Sequence, residues 1–382
     1  SAIKKAEELH SLESRTFLES TGIYHFPLFC YLVDCGFNAS IINPIITHST
    51  KNGNIRKVKN DKIDSKGIAK LGLSKDIPVS QFPAKLVLEL RSLTRKYYDL
   101  TDERSAHINK LKGDLHTVFP QYLDVFCDVT GKTSTMILRQ YGTPDKILRG
   151  HKKTMIEKIS KASRKGLAKA SERYEKLCAA ANAAKTFGCQ IDSIYFNIFL
   201  TLDLVEKLDS ALDSILNRIR QLITFNKNEK FIQQIKLLNT IPGVGFLTAV
   251  TIMCEIGDFS AFRNPKQLFA YFGLDPEVNE SGKFVGTQLH MSKRGSRIAR
   301  RAIFAVALAS IRTKRNGEGI NPYLRKYYEL KSGQKPKMVA IGAVMHKVCN
   351  IVFAVLRDEK AFELRSPEEH CKQYQRPALA AA

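Results

Sequence analysis

The sequence predicts an α+β, multidomain protein, with one strand–helix–strand unit near its start, a pair of very long helices, and an all-helical C-terminal region. Three observations carry this. The extended stretch 15–19, the apolar segment 23–35 and the β-branched run 37–42 follow one another in that order, the pattern of two parallel strands joined by a helix. Leucine-rich helical periodicity then runs through 84–119 and 198–222. After Phe231 the apolar segments are helical, with glycine and proline punctuation between them. The implied organisation is an α/β domain at 1–82, a helical arm with a basic insert at 83–230, a helical domain at 231–358 and a tail at 359–382.

At 382 residues the chain can hold two or three domains, and a hydrophobic fraction of 44% is enough to fill their cores. Sixty Lys and Arg against 37 Asp and Glu leave a net charge of +23. Such an excess suits a polyanion, because each neutralised phosphate releases condensed counterions. Nucleic acid is the partner it predicts; a lysine-rich surface with no ligand is the plainer alternative. No apolar run reaches the roughly 18–20 residues that span a bilayer, and the charged start Ser-Ala-Ile-Lys-Lys-Ala-Glu-Glu is unlike a signal peptide. A soluble cytoplasmic protein with no membrane partner is expected. The eight cysteines form no C-x-x-C pair, so neither a zinc site nor a disulfide framework is predicted.

Residues 2–13 read as a charged amphipathic helix, and Arg15 to Glu19 as a short strand. Thr21-Gly22 turns the chain into an apolar helix that Gly36 ends as a C-cap would, and Asn43-Pro44 stops the second strand. Glu19 therefore stands at the carboxyl end of its strand, where α/β folds bind ligands. A basic loop, 51–59, leads to Asp61-Lys-Ile-Asp64 at the start of a helix running to Lys70. Positions i and i+3 share a helix face, so Asp61 and Asp64 can address one point. With Glu19 they could form an all-oxygen Mg²⁺ site of the kind used in phosphoryl transfer. From spacing alone, two solvated acids favoured by the helix dipole account for the pair more simply.

Leu86, Leu90, Leu93, Tyr97, Leu100, Ile108, Leu111, Leu115 and Val118 recur at helical spacing until Pro120. Ile198, Leu202, Val205, Leu208, Leu212, Ile215, Ile219 and Leu222 step by threes and fours, close to a coiled-coil seam. The two helices are expected to pair as a coiled-coil-like arm or to contact another copy, making a homodimer or tetramer. Packing within one chain is the commoner origin of such a stripe. Between them, 145–176 is predicted helical, with Lys152, Lys153, Lys158, Lys161, Arg164, Lys165, Lys169 and Arg173 offset by few acids. Such a face is either simply solvated or tracks phosphates.

Three chemical devices lie between Leu237 and Arg301. Ile241-Pro-Gly-Val-Gly245 separates two helical patterns, 231–238 and 246–256. Gly243 and Gly245 allow a tight turn and leave amides bare at the next helix start, a helix-hairpin-helix signature for a nucleic-acid backbone or else a structural hairpin. A short helix then closes at Gly273, and 275–282 reads as an exposed, turn-rich loop containing Ser281-Gly282. A serine before glycine is ordinarily only a turn. Lys293, Arg294, Arg297, Arg300 and Arg301 follow closely, however, and could stabilise the charge of a phosphoryl transition state, surroundings that suit a nucleophile. His290 is the one nearby imidazole, and no general base is identified. Helical patterns at 303–311, 323–328 and 338–356 end the fold near Asp358; the terminal Pro-Ala-Leu-Ala-Ala-Ala is excluded from it.

Leu18-Glu-Ser-Thr-Gly-Ile-Tyr24, Val58-Lys-Asn-Asp61-Lys-Ile-Asp64-Ser, Thr240-Ile-Pro-Gly-Val-Gly245, Tyr271-Phe-Gly-Leu-Asp-Pro276, Ser281-Gly282 and Ser292-Lys-Arg-Gly295 occur in this order across residues 15–358. Together they resemble the DEDD transposases of the insertion-sequence 110 type, the bridge-RNA-guided recombinases. The resemblance implies an RNase H-like (RuvC-like) first domain whose four acids hold Mg²⁺, and a C-terminal domain whose serine attacks DNA. Glu19, Asp61 and Asp64 would be the second, third and fourth acids, and Ser281 the nucleophile that forms a phosphoserine link. A structured guide RNA would supply sequence choice by pairing with DNA. The family's first acid lies on an opening strand in a Gly-Ile-Asp-x-Ser context, which is not found ahead of Glu19. The resemblance thus implies an incomplete RNase H-like domain, and leaves open an inactive nucleic-acid-binding remnant or a Mg²⁺-dependent junction nuclease. Asn60 and Ser65 stand where the family usually has Thr and Ala.

Overall fold

Arg15–Glu19 forms strand β1 and pairs in parallel with β2, Asn38–Ile42, with Arg15 opposite Asn38 and Glu19 opposite Ile42. These elements belong to a computed structural model that describes residues 2–19, 24–42, 61–74, 84–277, 280–281, 284–285, 290–366 and 368–369. The chain divides into two compact units, 1–84 and 85–382.

In the first unit, Ala2–His10 is α1 and His25–Asp34 is α2. The parallel pair needs a crossover, and α2 supplies it while burying Phe29 and Leu32 against Ala39 of β2. Gly36, at φ +79°, ends the helix and turns the chain back into β2. Asp61–Ser74, α3, runs one turn beyond the expected end at Lys70. It lies on β1 so closely that a Cβ at Gly72 would come within 2.4 Å of the Phe17 ring. The turns predicted at Thr21-Gly22 and Asn43-Pro44, the basic loop 51–59 and Asn60 lie outside the described residues.

The second unit is built on two 34-residue helices, α4 (Lys85–Val118) and α10 (Asp192–Phe225). At 1.5 Å per residue each is about 50 Å long. They pack along each other within the chain and are braced midway by an Arg104–Asp209 pair, Nε to Oδ1 2.5 Å. At one end Leu111 and Leu115 meet Ile198 and Leu202 in a core shared with the basic insert. That insert is five helices: α5 (Tyr122–Val125), α6 (Lys132–Gln140), α7 (Pro144–Arg149), α8 (Lys152–Ser163) and α9 (Leu167–Phe187). The stretch 145–176 is accordingly three helices, broken at Gly150 and at Arg164, which takes a left-handed φ of +53°.

At the other end Leu86, Leu90, Ile219 and Leu222 join a core made by the remaining helices. These are α11 (Lys230–Leu238), α12 (Phe246–Ile256), α13 (Pro265–Tyr271), α14 (Arg297–Ser310), α15 (Pro322–Ser332) and α16 (Lys337–Asp358). A two-residue antiparallel pair, β3 (Glu280–Ser281) and β4 (Phe284–Val285), lies between α13 and α14. Among the described residues α16 is long and apolar enough to cross a membrane, contrary to the expectation that no such run exists. Its apolar window is 56% buried inside the protein, with Val344, Val348 and Val352 in the centre of the core. It serves here as the hub on which α11, α13, α14 and α15 pack.

Candidate functional site

The predicted metal ligands fall in the first unit. Glu19 is the last residue of β1, at the strand's carboxyl end, and Asp61 and Asp64 occupy the first turn of α3. Asp61 is exposed and Asp64 half-buried. One contact that seats α3 on β1 is Gly72 against Phe17, and Asp64 lies eight positions before Gly72, about 12 Å along the axis. Among the described residues no group of three or more His, Cys, Asp or Glu stands close enough to hold a metal ion. The three acids have the hard-oxygen chemistry that suits a divalent cation, but the described residues do not assemble them into a full coordination set.

The first device of the second unit is the turn between α11 and α12. Gly243, at φ +97°, lies so close to α14 that a Cβ there would meet Ser310 Oγ at 2.5 Å, and the Ser310 hydroxyl donates to the Pro242 carbonyl at 3.0 Å. Gly243 is therefore required by packing. Gly245 is different: it is exposed, has open space at its Cβ position, and begins α12 with no side-chain cap. The first amides of α12 thus lack the side-chain acceptor that usually satisfies them.

The second device is a stem. Gly273, at φ +65°, crosses Gly295, where a Cβ would lie 1.9 Å from the Tyr271 carbonyl oxygen. Two backbones touch there, and only glycine permits it. From the crossing the chains run antiparallel: the Lys293 amide donates to Gly273 O (3.0 Å), the Ser292 amide to Asp275 O (2.8 Å), and the Glu277 amide to His290 O (2.7 Å). Ser292 Oγ also donates to Asp275 Oδ1 at 2.6 Å, and Pro276 bridges Met291. Farther along the same two chains Ser281 pairs with Phe284. Ser281 is therefore a paired strand residue and not part of a free loop; the partner strand, at 284–285, and the stem at 290–293 carry no local sequence signal for it.

The third device is the start of α14. Its first turn holds Arg297 and Arg300 with no acid, an arrangement the helix dipole disfavours. The compensation comes from elsewhere in the chain. Ser296 caps the helix, its Oγ accepting from the Ala299 amide at 3.2 Å and donating to Glu255 Oε2 at 2.7 Å. Glu255, on the last turn of α12, is 3% exposed. Arg95 of α4 forks onto it, Nε to Oε1 2.8 Å and Nη2 to Oε2 3.0 Å. Burial by itself would raise the Glu255 carboxyl, but the hydrogen bonds from Arg95 and Ser296 and the charges of Arg95 and Arg91 outweigh it and hold the group below the ordinary Glu value. Tyr271 OH donates to the Glu255 carbonyl at 3.0 Å, and Arg91 Nε to the Cys254 carbonyl at 2.7 Å.

The five cations expected beside Ser281 divide into two groups. Lys293, Arg294 and Arg297 are exposed. Arg300 is turned inward, donating from Nη1 to Gly295 O (2.7 Å) and Phe272 O (3.1 Å), which ties the helix to the glycine crossing. Arg301 pairs with Asp102 of α4 at 2.7 Å and lies over the Tyr98 ring. Sequence reading missed Glu255, Arg95, Ser296 and Asp102. The one available signal was Glu255, a lone carboxylate in an otherwise apolar helix, which a core tolerates only when paired.

On the insert, Lys152 and Lys153 are exposed at the first turn of α8, Lys152 lying 3.9 Å from Glu175 and over the Tyr174 ring. Around the α8–α9 turn, Ser163, Lys165, Lys169, Arg173 and Lys176 line a cavity of about 300 Å³ together with Asp124 and Glu172.

Two regions of the chain match known families. Residues 2–120 match a family of DEDD-type insertion-sequence transposases, and residues 235–329 match the transposase family IS116/IS110/IS902. The second match contains the helical turn, the stem and the start of α14. The chain is 23% identical over 286 residues to the insertion element IS110 uncharacterized 43.6 kDa protein of Streptomyces coelicolor, covering 74% of this chain and 66% of that one. It is 30% identical over 177 residues to the pilin gene-inverting protein of Moraxella bovis, covering 46% and 52%. Over 188 residues it is 26% identical to the transposase for insertion sequence element IS1111A of Coxiella burnetii, covering 48% and 50%. The chain thus spans between half and two thirds of the length of these relatives. With transposase matches at residues 2–120 and 235–329 and relatives from three insertion elements or inversion systems, both matched regions of the chain are of the IS110 transposase type.

Proposed function

We propose that the chain is a DNA transposase, cleaving and exchanging strands through a serine–phosphodiester intermediate. In this reading Ser281 Oγ attacks a phosphodiester, a phosphorus–serine bond forms as a phosphorus–oxygen bond of the strand breaks, and the freed strand hydroxyl leaves. A second strand hydroxyl reverses the step on a new partner, so the number of phosphodiester bonds is conserved and no energy source is consumed. The observation that carries the reading is the stem: within the transposase-matched segment, the chain bearing Ser281 runs directly from a glycine crossing into a helix start rich in arginine. Exposed Lys293, Arg294 and Arg297 would face the phosphates, Arg301 would be shared between Asp102 and a phosphate, and Arg300 would keep that helix in place. The exposed Gly245 and the bare start of α12 would grip DNA backbone in the manner of a helix-hairpin-helix.

The first unit is read as part of an RNase H-like domain in which Glu19, Asp61 and Asp64 contribute to holding Mg²⁺, a cation that polarises phosphate oxygens when bound. A guide RNA would occupy part of the basic surface, including Lys152 and Lys153, and base pairing would choose the DNA. Assembly as a homodimer or tetramer belongs to the same proposal.

The test is to co-express the chain with the DNA flanking its gene, sequence the RNA that copurifies, and look for a denaturant-resistant protein–DNA adduct. One discrete RNA and an adduct that Ser281→Ala abolishes, with nucleic-acid affinity nearly unchanged, are expected. An adduct that persists in Ser281→Ala refutes the nucleophile. Junction cleavage that needs Glu19, Asp61 and Asp64 but not Ser281 identifies a nuclease instead, and a random RNA mixture with no adduct identifies a binding protein.

A further inference from the structure

We infer that Glu255 is the positioning residue of the Ser281 hairpin, and that it acts through Ser296: the buried carboxylate locks the base of the stem and the start of α14 onto the arm helix α4. This rests on the proposal that Ser281 is the reacting serine. At Glu255 four separate pieces of the second unit meet: α12 itself, α4, α13 and α14. Its side chain takes both arms of the Arg95 guanidinium from α4 and the hydroxyl of Ser296 from the head of α14. Its backbone carbonyl takes the Tyr271 hydroxyl from the end of α13. Tyr271 and Ser296 flank the glycine crossing from which both stem strands depart, Gly273 on one side and Gly295 on the other.

A stability role alone does not require this chemistry. Replacing a buried ion pair by apolar groups of equal volume is often neutral or favourable, whereas a bidentate charged contact fixes orientation as well as distance. The remaining ties in the cluster point the same way. Arg300 clasps the two carbonyls at the crossing, and Arg91 holds the neighbouring Cys254 carbonyl. The base of the serine hairpin is thus tied to α4 and to the α12 end through Glu255, and to α14 through Arg300. A displacement of about 1 Å at a reacting group can cost a hundredfold in rate, so such a base has a use in a strand-transfer enzyme.

Ser296 allows the test, because its two roles can be separated. Aspartate caps helices as well as serine, so Ser296→Asp preserves the cap while setting a second carboxylate against Glu255. Ser296→Thr keeps both the cap and the hydroxyl donor. In the full chain, hydrogen–deuterium exchange of peptides covering 271–277 and 290–296 is measured alongside the adduct rate at saturating DNA and the DNA affinity. Ser296→Thr is expected to match the parent. Ser296→Asp and Glu255→Gln are expected to exchange these segments at least tenfold faster, with α16 unchanged, and to lower the saturated rate tenfold to a hundredfold while affinity stays within about twofold. Unchanged stem exchange in both variants overturns the link between Glu255 and the stem. Faster exchange with an unchanged saturated rate overturns the positioning role, and so does a Ser296→Asp variant that behaves as the parent. If the parent forms no adduct, the transfer proposal fails by itself, and the exchange arm still decides whether Glu255 holds the stem.

Discussion

Substituting Gly295 by alanine probes the base of the stem with a single methyl group. The added Cβ would lie 1.9 Å from Tyr271 O, 2.6 Å from Phe272 C and 2.8 Å from Gly273 N, all of them backbone atoms that cannot rotate away. Ordinary contact requires the two chains to part by more than about 1 Å, and overpacking of that kind costs roughly 1–3 kcal/mol. The displacement also strains the Lys293 amide to Gly273 O bond and the Arg300 clasp on Phe272 O and Gly295 O. At about 1 kcal/mol for each of these two interactions weakened, a total near 3–5 kcal/mol is expected. At about 2.1 cal/mol/K of unfolding entropy per residue, a unit spanning 85–382 then falls in Tm by about 5–8 °C, read by differential scanning calorimetry of the full chain. The control is Gly342→Ala in the interior of α16, where a Cβ meets nothing within 4 Å. It removes a helix-interior glycine and is expected to stabilise by about 0.5–1 kcal/mol. A Gly295→Ala protein that melts within 1 °C of the parent refutes the crossing and the stem geometry built on it.

Two other consequences are open to measurement. Asp102 neutralises Arg301 at 2.7 Å and stands 4.0 Å from Arg297, so Asp102→Asn is expected to tighten DNA binding and steepen its salt dependence. Each guanidinium released to a phosphate adds about 0.9 to the slope of log K against log salt, and a slope unchanged in a salt titration counts against these arginines as phosphate ligands. Glu255 is held below its ordinary value of 4.5, so its contribution to stability is complete above about that pH and is lost as the pH falls through the lowered value. The parent is therefore expected to lose Tm more steeply than Glu255→Gln on acidification below pH 4.5, and parallel profiles would contradict the depressed carboxyl.

Local order decided much of this protein in advance. The alternation of leucines along 84–119 and 198–222 produced α4 and α10 because a 3.6-residue repeat makes an apolar stripe whatever it packs on. Gly36, Gly243 and Gly273 end or turn their elements at positive φ, a property of the residue itself. Glu19 at a strand end and two acids in the first turn of α3 were likewise legible from neighbours within a few positions. Tertiary structure alone decided what those elements do to one another. No local pattern pairs Arg95 with Glu255, 160 residues away, or turns Arg300 inward while leaving Arg297 in solvent. Ser281 became a strand residue because 284–285 supplied its pairing partner, and the apolar run of α16 became a core hub because four helices cover it. Periodicity and turn chemistry act over a few residues, whereas a buried charge finds its partner only when the chain has closed around it.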